Sequence, residues 1–323
     1  MSATMPLVEC RNLFKSFKLR ALSGDRPQQS FTAVSDVSLS IEPGETLALV
    51  GESGCGKTTT GRLLLRLENP SSGSTSFDGR NLDSLGARQL RRLRRDMQMI
   101  FQDPYGSLNP RFTVARTLAE PLRLHEDLSG SKLAERIDLL LHTVGLSREH
   151  AGRYPHEFSG GQRQRIAIAR AISVNPRFVV ADEPVSALDI SVQGQILKLL
   201  LELKKHLAMA MLFISHDLAL VRQISERVAV MYRGRVVELA PTEKIFANPL
   251  HPYTRLLLSS VLTLRPQTEP GQQAEKQAGE SRPAADGCAF SGRCPLKVES
   301  CLKNVPDLVQ VQPGHWVACQ LVG

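Results

Sequence analysis

The chain has 323 residues, 42% of them hydrophobic and 22% charged, a mixture that can fill the core of a large domain and excludes a disordered or low-complexity chain. Its formal charge of +8 permits contact with nucleic acid, anionic lipid or nucleotide phosphates without choosing among them. No stretch reaches the roughly 18 uncharged apolar residues needed to cross a bilayer, and the opening MSATMPLVECRNLFKSF lacks a basic segment followed by a long apolar core, so the reading is a soluble, cytoplasmic protein.

From Leu7 to Val50 the pattern is of short β segments, VECRNLF, FTAVSDVSLSI and ETLALV, with a polar insertion, RALSGDRPQQS, breaking the first hairpin. Thr46 to Val50 is a continuous apolar run, as expected of a strand buried on both faces. It leads into GESGCGKT, Gly51 to Thr58, and then into TTTGRLLLRLE, which has helical periodicity. Strand, glycine-rich turn and helix in that order make a phosphate cradle. Gly51, Gly54 and Gly56 allow the tight turn, and Glu52, Ser53 and Cys55 fill the slots between them, Cys55 as a small spacer. Lys57 should reach the β and γ phosphates, Thr58 should place its hydroxyl on Mg²⁺, and Thr59 continues the nucleotide-binding segment.

The basic stretch ARQLRRLRR, residues 87 to 95, interleaves leucine with arginine and is read as a solvated amphipathic helix rather than a nucleic-acid face. Helical patterns dominate from Tyr105 to Pro176 and predict a helical subdomain, about residues 103–176, inserted into the sheet domain; in GQRQRIAIARAISV, Ile166, Ala169 and Ala171 can face a core. Two further buried-strand patterns, RFVVAD and MLFISHD, flank a helix over Val192 to His206, which predicts a parallel β-α-β unit. The first ends in FVVADE, where Asp182 can hold Mg²⁺ and Glu183 can polarise an attacking water.

RVAVMYR and RVVELA meet around Gly234 as a hairpin, and the catalytic domain should close near Asn248. Residues 249–287 read as an extension and a polar linker, densest from Arg265 to Gly287, and residues 288–323 as a cysteine-rich segment. The predicted fold class is α/β, a P-loop ATPase core with a parallel sheet and an antiparallel β entry, carrying the helical subdomain and the small C-terminal extension. Cys288, Cys294, Cys301 and Cys319 follow C-x5-C-x6-C-x17-C, which matches neither a tight zinc pair nor a ferredoxin run. A reducing compartment favours metal over disulfides there, and spacing leaves iron–sulfur, zinc and free thiols open.

FSGGQ, Phe158 to Gln162, resembles the LSGGQ signature of the ABC ATPase superfamily, with Ser159, Gly160, Gly161 and Gln162 matching and Phe158 in place of leucine. Other marks follow in family order: Gln102 resembles the Q-loop glutamine, Ser186, Ala187, Leu188 and Asp189 the D-loop, and His216 the switch histidine. The resemblance implies that two cassettes pair head to tail, so that Ser159 to Gln162 of one complete the ATP site built on Lys57 of the other, and that one chain alone is nearly inactive. It implies roles for Gln102 on Mg²⁺ and γ-phosphate and for His216 in the transition state. Phe17 resembles the aromatic that stacks on adenine, with Phe31 as its competitor beyond the insertion.

Three flanking marks, DPYGSLNPR, NPLHPYT and GCAFSGRCP, resemble the ATP-binding subunits of dipeptide and oligopeptide importers. That likeness implies ATP and Mg²⁺ as ligands, a second related ATPase subunit, two membrane permeases, an extracytoplasmic solute-binding protein, and a peripheral place on the cytoplasmic face of the inner membrane, with no nucleic acid. It also implies a 4Fe-4S cluster held by Cys288, Cys294, Cys301 and Cys319. Nickel, glutathione, opine and sugar importers share these marks, and a soluble ABC protein acting on ribosomes or DNA, or a redox-sensing regulatory module, are the readings of a different class.

Overall fold

The computed structural model describes residues 5–18, 30–262 and 287–322. The polar insertion after Lys18 and the linker expected from Arg265 to Gly287 fall almost wholly outside the described residues.

Among the described residues, twelve strands form two sheets. An antiparallel sheet holds β1 (Val8–Lys18), β2 (Ser30–Ile41), β4 (Ser72–Phe77) and β5 (Arg80–Asn81) in the order β2-β1-β4-β5. The larger sheet contains β3 (Thr46–Val50), β6 (Met97–Ile100), β7 (Phe178–Asp182), β8 (Ala210–Ser215), β9 (Arg227–Tyr232), β10 (Arg235–Pro241), β11 (Val309–Gln312) and β12 (His315–Val317), in the order β11-β12-β10-β9-β3-β8-β7-β6. Strands β6, β7, β8, β3 and β9 pair in parallel, and β10, β12 and β11 add antiparallel pairs at one edge.

The apolar runs of the parallel strands are continuous because both faces are covered. In β3, Ala48 and Val50 enter a core shared with the helices, whereas Leu47 and Leu49 enter a second core shared with the antiparallel sheet. Val179 and Ala181 of β7 face the first core, and Phe178 and Val180 the second. The alternation is the period of two that a strand imposes on its side chains.

Helices Val114–Glu126, Gly130–Thr143 and Gly160–Ile172 form the helical subdomain, bringing Leu118, Leu122, Leu140 and Ile166 into the first core. Helix Ile190–Leu207 links β7 to β8, as the β-α-β reading requires. Helix Ala87–Leu93 carries the basic stretch, and none of its residues is buried. The β9–β10 turn has Arg233 and Gly234 both at positive φ (43° and 84°), the twist that suits a two-residue hairpin.

Sequence reasoning placed neither β4 nor β6, and the two C-terminal strands were likewise unforeseen. They extend the catalytic sheet rather than standing apart from it: Glu238 pairs with Val317 and Leu239 with Trp316. The join is sealed by Glu238, which is fully buried. Its carboxylate accepts from the backbone N–H groups of Leu250 (2.8 Å) and His251 (2.9 Å) and lies 2.7 Å from His315 Nε2. Three partners compensate a charge that would be costly to bury alone.

Candidate active site

The site lies where four parallel strands end side by side. Val50 of β3 is level with Ser215 of β8, Ile214 of β8 with Asp182 of β7, and Ala181 of β7 with Ile100 of β6. The residues that follow, Gly51, His216, Glu183 and Gln102, are thereby delivered to one rim, the carboxyl edge at which open α/β sheets bind ligands.

Close approach explains two of the loop glycines. A Cβ on Gly51 would stand 2.1 Å from the carbonyl oxygen of Met231, and one on Gly56 would stand 2.2 Å from that of Ala33. Both have positive φ (151° and 110°), and Gly56 caps helix Lys57–Leu64. The loop is further pinned by Gly234 N–H donating to the carbonyl of Cys55 at 2.8 Å. Lys57 is buried, and its ammonium donates to the carbonyls of Gly51 (2.8 Å) and Glu52 (3.0 Å). Cys55 is buried as well, and burial pushes its thiol above the ordinary range although Lys57 opposes this; a thiol kept protonated fits the spacer role.

Thr58 donates its hydroxyl to Asp182 Oδ1 at 3.0 Å. Asp182 is only 2% exposed, and burial pushes its carboxyl above the usual carboxylate range, with the Thr58 hydrogen bond opposing and the Glu183 charge adding. Hydroxyl and carboxylate are hard oxygen donors of the kind Mg²⁺ selects, and a cation there would add to the favourable charges of Arg62 and Lys57 in offsetting the burial of this carboxylate.

Glu183 has both carboxylate oxygens engaged. Gln102 Nε2 donates to Oε2 at 3.0 Å, and His216 Nδ1 lies 3.2 Å from Oε1. The Glu183 backbone has φ of 44°, a left-handed conformation costly for a non-glycine residue, and its N–H donates to the carbonyl of Ile214 at 2.9 Å. The strain turns the side chain off the end of β7 into a cavity of about 570 Å³ lined by Lys57, Thr58, Gln102, Glu183 and His216. Gln102, expected on Mg²⁺, thus hydrogen-bonds to the candidate base.

The same cavity is lined by Ser53, Gly54, Gly56, Thr59 and Phe31. Phe31 also lines the adjoining cavity beside Glu52 and Cys55; Phe17, the first choice for the adenine contact, lines neither. The two phenylalanines pair across the β1–β2 ladder, and the Lys15 ammonium stands 4.9 Å from the centre of the Phe17 ring.

Ser159 caps helix Gly160–Ile172 by accepting from the Gln162 N–H at 3.3 Å, and Gln162 Oε1 accepts from the Ser159 N–H at 3.1 Å. A Cβ on Gly161 would stand 2.5 Å from Val192 Cγ1, so the signature packs against the helix that follows the D-loop. Phe158 is buried, which explains why an aromatic serves in place of leucine. None of Ser159, Gly160, Gly161 and Gln162 lines the Lys57 cavity, nor do Ser186, Ala187, Leu188 and Asp189. Ser186 and Ala187 are exposed, and Ile190 beside them is 88% exposed.

The four tail cysteines are free thiols. Charges on Cys301, Cys319 and Cys294 all act on Cys288, so the four are neighbours, and burial raises the Cys288, Cys294 and Cys319 thiols. Among the described residues, however, no group of three or more His, Cys, Asp or Glu is placed to hold a metal ion. The expected cluster on Cys288, Cys294, Cys301 and Cys319 therefore draws no support from the arrangement of these side chains.

Two side chains that sequence reasoning missed reach the phosphate loop. Glu52 N–H donates to the Tyr253 hydroxyl at 2.9 Å, and Arg293 Nη1 donates to both Glu52 carboxylate oxygens at 2.9 Å. NPLHPYT and SGRCP carried them, but nothing in their spacing pointed to Glu52.

Residues 34–186 match the ABC transporter family, and residues 237–301 match the family described as oligopeptide/dipeptide transporter, C-terminal region. The oligopeptide transport ATP-binding protein AppF of Bacillus subtilis is 45% identical over 98% of this chain and 97% of its own length. The glutathione import ATP-binding protein GsiA of Escherichia coli K12 is 49% identical over 97% of this chain, which spans 48% of that protein's length. Among solved structures, the dimeric ATP-binding cassette MJ0796 in a post-hydrolysis state bound to ADP and Pi is similar with a TM-score of 0.66 and 29% identity, over 73% of this chain and 98% of that one. CbiO1 of Clostridium perfringens, part of an ABC transporter complex, gives 0.64 and 25% over 80% and 95%.

Proposed function

Because this chain belongs to the ATP-binding subunits of the oligopeptide/dipeptide ABC importer family, we propose that its Gly51 to Thr59 loop grips ATP and that Glu183 is the base for hydrolysis, with import of short peptides as the work done. The chain is an ATPase subunit of an ABC importer; the residue roles and the cargo are the proposal. The observation that carries it is Glu183 held between Gln102 and His216 in the cavity of Lys57 and Thr58, while the signature of the same chain lies outside that cavity.

Lys57 and the loop N–H groups bind the phosphates. Thr58 and Asp182 would hold Mg²⁺, which neutralises phosphate charge when bound. Glu183 accepts the proton of the attacking water, oriented by Gln102 on one oxygen and His216 on the other. The helix N-terminus capped by Ser159 supplies donors to the γ-phosphate of a partner cassette, so ATP closes the dimer and hydrolysis releases it. Exposed Ile190 supports a partner at that edge.

Among the described residues no helix is long and apolar enough to cross a membrane, and the proposed position is peripheral, at the cytoplasmic face of the inner membrane, docked on two permeases. A cavity of about 720 Å³ beside Gln102, walled by Met99, Phe101, Pro121 and Leu124, supports insertion of a cytoplasmic permease helix between sheet and helical subdomain. A related second ATPase subunit and an extracytoplasmic solute-binding protein complete the proposed machine. Uptake of labelled peptides by a strain lacking this chain is the test: loss of uptake, restored by the wild-type chain, supports the reading. Since relatives at 48–49% identity are named for glutathione import, glutathione is the second cargo to measure, and loss of glutathione uptake alone would replace peptide with it.

The finer cofactor reading is a 4Fe-4S cluster on Cys288, Cys294, Cys301 and Cys319, a structural clamp for the small tail. Its support is that the family's C-terminal region covers three of the four cysteines, Cys288, Cys294 and Cys301. Anaerobically purified protein is expected to be brown with about four iron atoms per chain. Colourless protein carrying zinc, or no metal, contradicts it.

A further inference from the structure

We propose that the C-terminal segment is a positioning device for the phosphate loop, with Tyr253 and Arg293 acting on ATP binding through Glu52. The inference rests on the reading that the Gly51 to Thr59 loop holds the nucleotide.

Glu52 is held at three points. Its N–H donates to the Tyr253 hydroxyl, its carboxylate takes both bonds from Arg293, and its carbonyl accepts from the Lys57 ammonium at 3.0 Å. Tyr253 and Lys57 thus grip opposite sides of one residue, and displacement of its backbone is passed to the lysine that meets the phosphates.

Tyr253 cannot easily yield. Its ring is fully buried, 4.5 Å from the Tyr232 ring centre and 5.4 Å from that of Phe290. Its N–H donates to His251 Nδ1 at 3.0 Å, and the His251 N–H is fixed on buried Glu238 beside His315. His251 is itself buried, and burial lowers its pKa to about 4, which keeps the ring neutral and able to accept at neutral pH. Arg293 is set by its own N–H donating to Phe290 at 2.9 Å, with its guanidinium 5.9 Å from the Phe290 ring centre. The tail therefore touches the loop through Arg293 and braces Tyr253 through Phe290 and His315.

Two physical effects follow. The tyrosine satisfies an N–H that would otherwise lack a partner. The arginine neutralises a carboxylate that lies in the phosphate loop and would repel ATP. Both favour nucleotide binding rather than the chemical step.

The test uses the full chain assembled with its partner ATPase and permeases. Arg293→Ala is expected to raise KM for ATP about 3-fold, as a half-exposed pair allows, and Tyr253→Phe about 10-fold, for an orphaned N–H. In each, kcat should stay within about 2-fold of wild type, since binding is weakened equally in the ground and transition states. Arg293→Lys should recover part of the loss, and Arg293→Ala should add nothing in a Glu52→Gln background. An unchanged KM in both variants, a fall confined to kcat, or an undiminished Arg293→Ala effect in the Glu52→Gln background overturns the proposal. Lys57→Ala separates the two layers. If it binds ATP like wild type, the nucleotide-site reading has failed; if it loses binding while the tail variants keep their KM, only the positioning role has.

Discussion

Glu183→Gln is expected to leave ATP binding intact and to lower turnover by about 10²–10⁴-fold, the usual contribution of a positioned base. The amide has the size of the carboxylate and can keep one contact to Gln102, but it cannot accept a proton from water. The left-handed backbone and the N–H bond to Ile214 are main-chain features that the substitution leaves in place. ATP should therefore accumulate unhydrolysed and hold two cassettes together. Single-turnover hydrolysis beside equilibrium ATP binding measures both halves, and wild-type turnover in this variant would remove Glu183 from the role of base.

Ser159→Arg should divide binding from catalysis in another way. Ser159 is exposed and outside the Lys57 cavity of its own chain, so the isolated subunit should bind ATP with unchanged affinity. In the assembled transporter the arginine occupies the place where a partner's γ-phosphate would lie and removes the hydroxyl that caps helix Gly160–Ile172. Loss of donors aimed at a reacting oxyanion costs about 10²–10³-fold, and steric exclusion adds to it at the sites this chain completes. A normal ATPase rate in the assembled variant would count against the shared site.

The parts of this fold that were legible in the sequence are those whose signal is local. TLALV, FVVAD and MLFIS are apolar but for one terminal residue each because β3, β7 and β8 are covered on both faces, and GESGCGKT follows the first of them because a phosphate loop needs a strand behind it. Strand β6, MQMI, is buried except at half-buried Gln98, and its two methionines and glutamine have little β preference, so only its pairing with β7 reveals it. The tail strands β11 and β12 have four and three residues, and β12 finds its partner in β10, more than seventy residues earlier in the chain.

Long-range geometry also decided the misses at the site. Phe17 and Phe31 stand opposite each other on β1 and β2, and which of the two strands borders the phosphate loop is set by tertiary packing that chain order does not carry. Tyr253 and Arg293 lie 201 and 241 residues from Glu52, so no spacing rule could join them. Gln102 was found by resemblance to the family's Q-loop and His216 by its place after the apolar run MLFIS, but their shared partner, Glu183, became visible only when β6, β7 and β8 were set side by side.

The most direct measurement is a structure of the assembled transporter, with Glu183→Gln in this chain, bound to MgATP. The account places the γ-phosphate between Lys57 of this chain and the signature serine and glycines of the opposing cassette, with Ser159, Gly160 and Gly161 of this chain on the other nucleotide. ATP enclosed by one chain alone, with both signatures facing solvent, would contradict it.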